Sequence, residues 1–275
     1  MTIPVRLLTS HGELVTASFS ADSLDQVGAR EPDGVYTIAR TYRSDHVVML
    51  EAHMDRLERS AQLEGIQLDL DRSRLRSGLR RLIHEAGFPE SRFRISIARH
   101  SPDTALLAVE PLRVISEQLR MTGVPAATIC IDRPNPQAKS NRWIQPREQA
   151  RRQLPDWAYE GLVCSPDGVI LEGLSSNFYA VVEGKLRTAR GTVLAGVARM
   201  ILLKVAEGLV ETSFEPVRLD EVNALDEAML TSSSRGILPI VRIDEDIIGT
   251  GEPGPVAQEL WRRYQRWVEQ HLEKI

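Results

Sequence analysis

Polar side chains crowd one short stretch of the chain, Leu171 to Tyr179, which reads Leu-Glu-Gly-Leu-Ser-Ser-Asn-Phe-Tyr. The apolar pair Leu162-Val163 precedes it, before a turn at Pro166-Asp167-Gly168. The run Ala180-Val181-Val182 follows it, before another turn at Glu183-Gly184-Lys185. Two strands are expected here, so Glu172, Ser175, Ser176 and Asn177 fall at a junction expected to be buried. Buried polar groups need partners. Either these four satisfy one another and the backbone, or they face a bound polar molecule. For the stretch alone, a turn that satisfies itself is the plainer reading.

Three further groups could carry chemistry. Lys139, in Gln-Ala-Lys-Ser-Asn-Arg, follows a strand and the break Pro134-Asn135-Pro136, a place where a functional side chain is often displayed. A partly desolvated lysine has a lowered pKa and can form a Schiff base; the plain alternative is a solvated loop lysine. In Leu194-Ala195-Gly196-Val197-Ala198-Arg199 a glycine opens a helix, whose free N–H groups suit a phosphate, although many helices begin this way with nothing bound. Ser232-Ser233-Ser234 could hold phosphate or simply form a turn. His53 and Arg56 stand three apart on one helix, where they could equally cap or salt-bridge that helix. Together, a lysine, a carboxylate, a helix start and a hydroxyl loop are the parts that a pyridoxal phosphate enzyme needs. The cofactor is an electron sink, a carboxylate deepens it by keeping the ring nitrogen protonated, and N–H groups, hydroxyls and an arginine bind its phosphate.

The elements that must position these groups alternate between strand and helix without a strict βαβ order, which favours α+β domains over a doubly wound fold. Residues 3–19 read as a hairpin around Gly12, Ser20 to Pro32 as a loop, and Val35 to Ala39 and Val47 to Leu50 as strands. A helix is expected over Glu51 to Gly65, with Met54, Leu57 and Ala61 inward. Another spans roughly 71–86, with Leu75, Leu79, Leu82, Ile83 and Ala86 on one face. Strands follow at Arg92 to Ala98 and Leu106 to Val109. The charged section from Pro111 to Gly123 reads as an interdomain connection with a short helical turn, and Val124 to Ile131 as a strand. Gln145 to Leu154 is rich in helix formers, with Pro146 tolerated in the first turn. Val197 to Gly208 reads as a helix, Val210 to Val217 as a short strand, Leu219 to Leu225 as a helix, and Ile237 to Ile243 as a strand broken by Pro239. A last helix starts at Gly254-Pro255 and carries the stripe Val256, Leu260, Tyr264, Trp267, Val268 and Leu272. This gives an N-terminal domain over 1–115, a connection over 116–123 and a C-terminal domain over 124–275.

Composition bounds the function. With 275 residues, 42% hydrophobic and 26% charged, the chain reads as an ordinary globular protein that needs no disulfide or metal to hold it. Its net charge of −4 argues against nucleic acid as the main partner. Cys130 and Cys164 are expected as buried free thiols in a reducing compartment, and no Cys/His cluster suggests zinc. Neither a signal peptide nor a membrane-spanning run is evident, so a cytoplasmic protein is expected.

At this point the chain resembles the class IV aminotransferases, the fold-type IV pyridoxal phosphate group. That group contains branched-chain and D-amino acid aminotransferases, R-selective amine transaminases and 4-amino-4-deoxychorismate lyase. The resemblance runs from about Gly34 to Leu260. It rests on six motifs in family order: Gly34-Val35-Tyr36, His53-Met54-Asp55-Arg56-Leu57 with Ser60-Ala61, Lys139, Glu172-Gly173 with Ser176-Asn177-Phe178, Gly196-Val197-Ala198-Arg199, and Thr231-Ser232-Ser233-Ser234 followed by Pro239. It implies that Lys139 is the Schiff-base lysine and proton shuttle, and that Glu172 pairs with the pyridine nitrogen; Ser176 and Asn177 are counted with the cofactor-binding residues and expected mainly to hold the loop and Glu172 in place. It also implies that Arg56, the N–H groups of Val197 and Ala198, and the Ser233 hydroxyl bind the phosphate. The implied fold is a smaller N-terminal α/β domain and a larger C-terminal pseudo-barrel domain, with the cofactor between them and a homodimer as the usual assembly.

The chain also departs from the family pattern. Ala198 stands where a threonine often follows, which removes one phosphate hydroxyl and implies weaker cofactor binding. Glu31-Pro32-Asp33-Gly34-Val35-Tyr36-Thr37 lacks the acid that usually ends this motif. Ile144 replaces the tyrosine that follows the lysine in branched-chain enzymes. Arg99-His100 does not reproduce the Arg-x-His carboxylate trap of D-amino acid enzymes. Tyr36, Arg94 and Ser234 are the candidate substrate contacts, and Arg142 and Arg235 flank the lysine and hydroxyl loops. Arg92 shares a face with Arg94 and reads as solvated, whereas for Arg94 solvent and pocket are both open. The expected activity is transamination between an amino acid or amine and a 2-oxo acid. A lyase of the aminodeoxychorismate type, or a homologue that binds the cofactor without catalysis, remains the alternative.

Overall fold

The computed structural model describes residues 2–275, and their contacts gather into two compact units. One takes the chain through Arg113 together with Ala138–Gln145 and His271–Ile275; the other holds Val114–Gln137 and Pro146–Gln270.

In the first unit, Val5–Leu8 (β1) and Leu14–Thr16 (β2) form the expected hairpin. Leu24–Arg30 (α1) stands inside the segment expected as a loop. The cause is local. The Ser23 hydroxyl accepts from the Gln26 N–H (3.2 Å), and the Gln26 side chain accepts from the Asp22 N–H (3.0 Å), which satisfies donors that a helix start otherwise leaves unpaired. Glu110 takes the Leu24 N–H at 2.8 Å. Only Leu24, Val27 and Gly28 are buried, too few to give a periodicity.

Gly34–Arg40 (β3), His46–Val48 (β4), Leu50–Leu63 (α2), Arg72–Ala86 (α3), Ser91–Ala98 (β5) and Ser101–Pro111 (β6) follow. Asp71 caps the start of α3, and Gly87 ends it at φ 65°, the left-handed conformation that glycine adopts without strain. The sheet is antiparallel, in the order β2-β1-β6-β5-β3. Side chains alternate across it. Val35, Phe93, Ile95, Ile97 and Leu107 pack under Met54, Leu57, Leu75, Leu79 and Leu82 of the two long helices, each such side chain contributing roughly 1.5–3 kcal/mol by burial. Leu106 and Ala108 pack instead against Leu24 and Val27 of α1. On β3 and β5, Tyr36 and Ser96 lie opposite each other, both out of register with the helix-covered positions. The outer edge of β3 is taken by the segment that carries Lys139. The expected last helix stops at Gln270, and Leu272–Lys274 forms a strand against β4.

In the second unit the elements are Glu117–Thr122 (α4), Val124–Cys130 (β7), Ile144–Gln153 (α5), Glu160–Cys164 (β8), Val169–Gly173 (β9), Ser176–Val182 (β10), Lys185–Arg187 (β11), Val197–Ala206 (α6), Glu211–Ser213 (β12), Val217–Arg218 (β13), Glu227–Ser232 (β14), Gly236–Ile243 (β15), Asp246–Ile247 (β16) and Pro255–Gln270 (α7). Two short strands stand where one was expected over Val210 to Val217, and Leu219–Ala224 is a 3-10 helix. The strand order β10-β14-β15-β7-β8-β9 closes on itself because β9 also pairs with β10. The result is a six-stranded barrel, parallel only at β15–β7 and β7–β8. Its core holds Val124, Leu162, Cys164, Ile170, Phe178, Leu230 and Leu238.

Pro239 does not break β15. It pairs with Met229 of β14, and the pairing with β7 begins only at Ile240, so the missing N–H leaves that ladder intact. The cysteines are free, and only Cys164 is buried; Cys130, at the end of β7, is exposed, which corrects the expectation that both are covered.

Candidate functional site

The sequence candidates fall into two groups, one in each unit. In the first unit they centre on Lys139. Its backbone is fixed on both sides: the carbonyl accepts from the Tyr36 N–H (2.9 Å) and the N–H donates to the Ser60 hydroxyl (3.0 Å). Ser60 in turn donates to the Arg56 carbonyl within α2 (2.7 Å), and Ser140 bridges to Val35. The Lys139 amine, Nζ, lies 4.8 Å from the centre of the Tyr36 ring. A half-buried lysine held this way is displayed by the scaffold rather than left on a mobile loop.

Arg56 is buried on α2, and one of its nitrogens donates to Thr37 Oγ1 at 2.8 Å. The same hydroxyl lies 2.8 Å from His53 Nδ1. Burial, then the charges of Arg56 and Lys139, push the His53 imidazole well below its usual range, so it stays neutral in a cationic neighbourhood.

Arg94 is not solvated. Its side chain is 2% exposed and forms an ion pair with Glu31, whose side chain is equally covered. It donates to Ser96 Oγ and Asn141 Oδ1, both at 2.9 Å, and its guanidinium stacks 3.7 Å from the Tyr36 ring centre. Arg142 is exposed and pairs with Asp33, and Arg92 pairs with Glu110.

In the second unit the opening stretch is a hairpin, and its polar groups divide between two acids. Glu172 and Asn177 stand directly opposite each other on β9 and β10. Glu172 accepts from the Leu194 N–H (3.2 Å) and from Asn177 Nδ2 (3.4 Å), and Asn177 donates to the Leu194 carbonyl (2.9 Å). The other Glu172 oxygen forms a buried ion pair with Arg133. Ser175 and Ser176 turn instead to Glu160, at 2.8 and 3.3 Å, where Arg235 also donates at 2.9 Å. Ser176 therefore holds the hairpin through Glu160. The neighbouring Tyr179 phenol is pushed up to about 12 by burial and lies 3.2 Å from Thr231 Oγ1.

Helix α6 begins at Gly196 with no side-chain cap, leaving the N–H groups of Val197 and Ala198 without acceptors inside the helix. A Cβ on Gly196 would lie 2.3 Å from Asn177 Oδ1, so the helix start sits directly against the Glu172 network. Arg199 is buried on α6 and donates to Thr188 Oγ1 (2.6 Å) and the Ala189 carbonyl (2.8 Å). Ser233 and Ser234 lie half-buried in the turn after β14, where Ser232 is held by Arg235 at 3.0 Å.

These residues suit pyridoxal phosphate. In the second unit a buried carboxylate is held by an arginine, an amide and a backbone N–H beside an uncapped helix start of the kind that suits a phosphate, and in the first unit a lysine is held on a fixed backbone. Among the described residues no cluster of His, Cys, Asp or Glu could hold a metal, and no helix is long and apolar enough to cross a membrane. Sequence reasoning missed Glu31, Arg133 and Glu160. All three are buried counter-charges, and nothing around them in the sequence marks them: Glu31 follows Arg30, Arg133 follows Asp132 beyond the end of β7, and Glu160 opens β8.

Comparison with known proteins agrees with this chemistry. The family model described as amino-transferase class IV matches residues 34–243. A D-alanine aminotransferase from Bacillus licheniformis is 27% identical, over 94% of this chain and 95% of its own length. A branched-chain-amino-acid aminotransferase from Pseudomonas aeruginosa is 26% identical, over 84% of this chain and 82% of its own. Among solved structures, a T.th. branched-chain amino acid aminotransferase with pyridoxamine 5'-phosphate superposes with a TM-score of 0.81 at 18% identity, covering 100% of this chain and 99% of that one. A putative branched-chain amino acid aminotransferase from Thermotoga maritima gives 0.78 at 26% identity, covering 96% of each chain.

Proposed function

This chain belongs to the class IV aminotransferases, which are pyridoxal phosphate enzymes, and on that premise we propose that Lys139 is the residue that moves the substrate proton. The observation that carries the assignment is the fixed backbone of Lys139, which sets its amine 4.8 Å from the Tyr36 ring. The reaction moves an amino group between an amino acid or amine and a 2-oxo acid.

The bound cofactor supplies the electron sink for the charge left at the donor's Cα. The chain's own residues do the rest. Lys139 would hold the cofactor's aldehyde until the donor's amine displaces it, and the freed Nζ would then take the proton that leaves Cα of the donor and, in the second half-reaction, deliver one to Cα of the acceptor. Glu172, kept in place by Arg133, Asn177 and the Leu194 N–H, would face the ring nitrogen. Arg56, the N–H groups of Val197 and Ala198, and the Ser233 hydroxyl would hold the phosphate. Tyr36, Arg94 and Ser234 would border the substrate, with Ser176 and Asn177 holding the Glu172 hairpin. Alanine, the amino acid for which the Bacillus licheniformis relative is named, is the first donor to try, in both enantiomers. We further propose a homodimer, by analogy with the family, and a cytoplasmic location, which the two unpaired thiols support.

The test is the spectrum and activity of the purified protein. With the cofactor added, a yellow band should form and should bleach on adding a competent amino donor; Lys139→Ala should lose both band and turnover. A wild-type protein that stays colourless and cannot be reconstituted would refute the assignment. Pyruvate released from aminodeoxychorismate without an acceptor would point to the lyase. A scattering mass near twice the 30.8 kDa chain tests the dimer.

A further inference from the structure

We infer that Glu31 sets the substrate range of this enzyme by neutralising Arg94, so that donors and acceptors carrying a second carboxylate are disfavoured. The inference rests on the function proposed above and concerns the surroundings of Lys139. Arg94 and Lys139 share one aromatic ring: the guanidinium stacks 3.7 Å, and the amine 4.8 Å, from the centre of Tyr36. Arg94 is therefore the cation that a second carboxylate on a substrate reacting at Lys139 would meet across that ring. A buried arginine without a counter-ion would bind such a group strongly, through two parallel N–H donors.

Here the counter-ion is built in. Glu31 forms an ion pair with Arg94, and both side chains are 2% exposed. A second carboxylate arriving there would meet a buried negative charge, in surroundings where water screens little. Among the described residues no further hydrogen-bond donor reaches either Glu31 oxygen, so the carboxylate is directed at Arg94. Ser96 and Asn141, the other partners of Arg94, join Glu31 in lining a cavity of about 300 Å³ whose walls include Phe19 and Leu106. This cavity offers room to an apolar or hydroxyl-bearing group. Among the described residues the other titratable group on its wall is His100.

Helix α1 delivers Glu31. The residue caps the end of α1, where its own N–H donates to the Val27 carbonyl at 2.9 Å. A Cβ on Gly28 would lie 3.5 Å from the Arg94 guanidinium carbon and 2.9 Å from Ile144. Ile144 is what excludes a side chain at 28, Arg94 lies in ordinary contact with the same point of the helix, and α1 is capped three residues on by the acid paired to Arg94.

Glu31→Gln tests this, because the amide oxygen can still accept from Arg94 while the charge is gone. The holoenzyme is assayed with alanine and glutamate of whichever hand is used, and with their oxo acids. Binding of unreactive glutarate and butyrate is measured alongside. The expected result is a rise of about tenfold or more in kcat/KM for glutamate relative to alanine, the scale of one charge-assisted hydrogen bond. The gain should appear in KM and in tighter glutarate binding, and Glu31→Gln/Arg94→Met should lose it. An unchanged glutamate-to-alanine ratio overturns the inference. So does a wild-type enzyme that already uses glutamate as well as alanine, an outcome that needs no variant to fold. A protein that transaminates no donor refutes the function itself, whereas glutarate binding still reads the charge at Arg94.

Discussion

Arg133 and Glu172 form a buried pair, with side chains 8% and 3% exposed, and the pair explains why a carboxylate can be held inside the second unit. Removing one partner leaves an uncompensated buried charge, which typically costs about 3–5 kcal/mol. Arg133→Met should therefore lower the melting temperature markedly. Arg133→Met/Glu172→Gln should recover part of that loss, because the second change removes the orphaned charge; a double variant no more stable than the single one would deny the coupling. Glu172→Gln alone leaves Arg133 unpaired and should also lower the melting temperature, yet in the protein that remains folded it should keep the yellow band and slow the release of the Cα proton roughly 10²-fold or more, read as loss of solvent exchange at Cα. His53 carries a different consequence. Its folded-state pKa lies well below the usual 6.5, so between those two values the unfolded chain binds a proton that the folded chain refuses. Stability from this group is complete above pH ~6.5 and falls on acidification, by at most ~1.4 kcal/mol per pH unit. Urea midpoints between pH 7 and pH 5 should fall less steeply in His53→Asn than in the wild type.

At the scale of elements, the β9–β10 hairpin and the start of α6 form one device. Asn177 donates to Glu172 and to the Leu194 carbonyl, and its Oδ1 occupies the space a Cβ would take on Gly196. Gly196→Ala should therefore displace Asn177, cost about 1–3 kcal/mol by overpacking, and weaken cofactor binding, read by fluorescence titration of the apoprotein. The hairpin itself was half legible in the sequence. The apolar runs placed strands on either side of Glu172, but the polar residues were taken for a junction, when they are the paired ends of the strands themselves. Period-2 reasoning looks for apolar alternation and does not recognise a strand that buries a glutamate or an asparagine on the face away from the barrel core. Helix α1 was missed for the opposite reason: its capping residues Ser23 and Gln26 are visible in the sequence, but seven residues give too little periodicity to outweigh a polar composition. The long helices α2 and α3 were read correctly because their leucines repeat over three or more turns. Glu31, Arg133 and Glu160 could not be read at all. A buried counter-charge is set by which strand end or helix end arrives beside it, and that is fixed by long-range pairing.

Long-range pairing also governs the molecule at its largest scale. The parallel contact between β15 and β7 joins Ile240 to Val124, and no local signal announces such a partner. Composition and element order led to a mixed α/β fold, and the pseudo-barrel came from the resemblance alone; closure through β9 and β10 is visible only in the paired register. That closure can be measured with the two cysteines. They sit side by side in register on β7 and β8, yet Cys130 is exposed at the end of its strand, whereas Cys164 lies in the barrel core with its thiol pushed up to about 12 by burial. Alkylation requires both access and the thiolate, and Cys164 lacks both while the barrel stays closed. Iodoacetamide at pH 8 should therefore modify Cys130 within minutes and leave Cys164 untouched, as read by peptide mass. In increasing urea, modification of Cys164 should follow the loss of the barrel's global structure, because no local opening short of strand separation exposes the interior of β8. Rapid modification of Cys164 in the native protein would mean that the β8–β9 side of the barrel opens independently, and the β9–β10 pairing that positions Glu172 would then have to open with it.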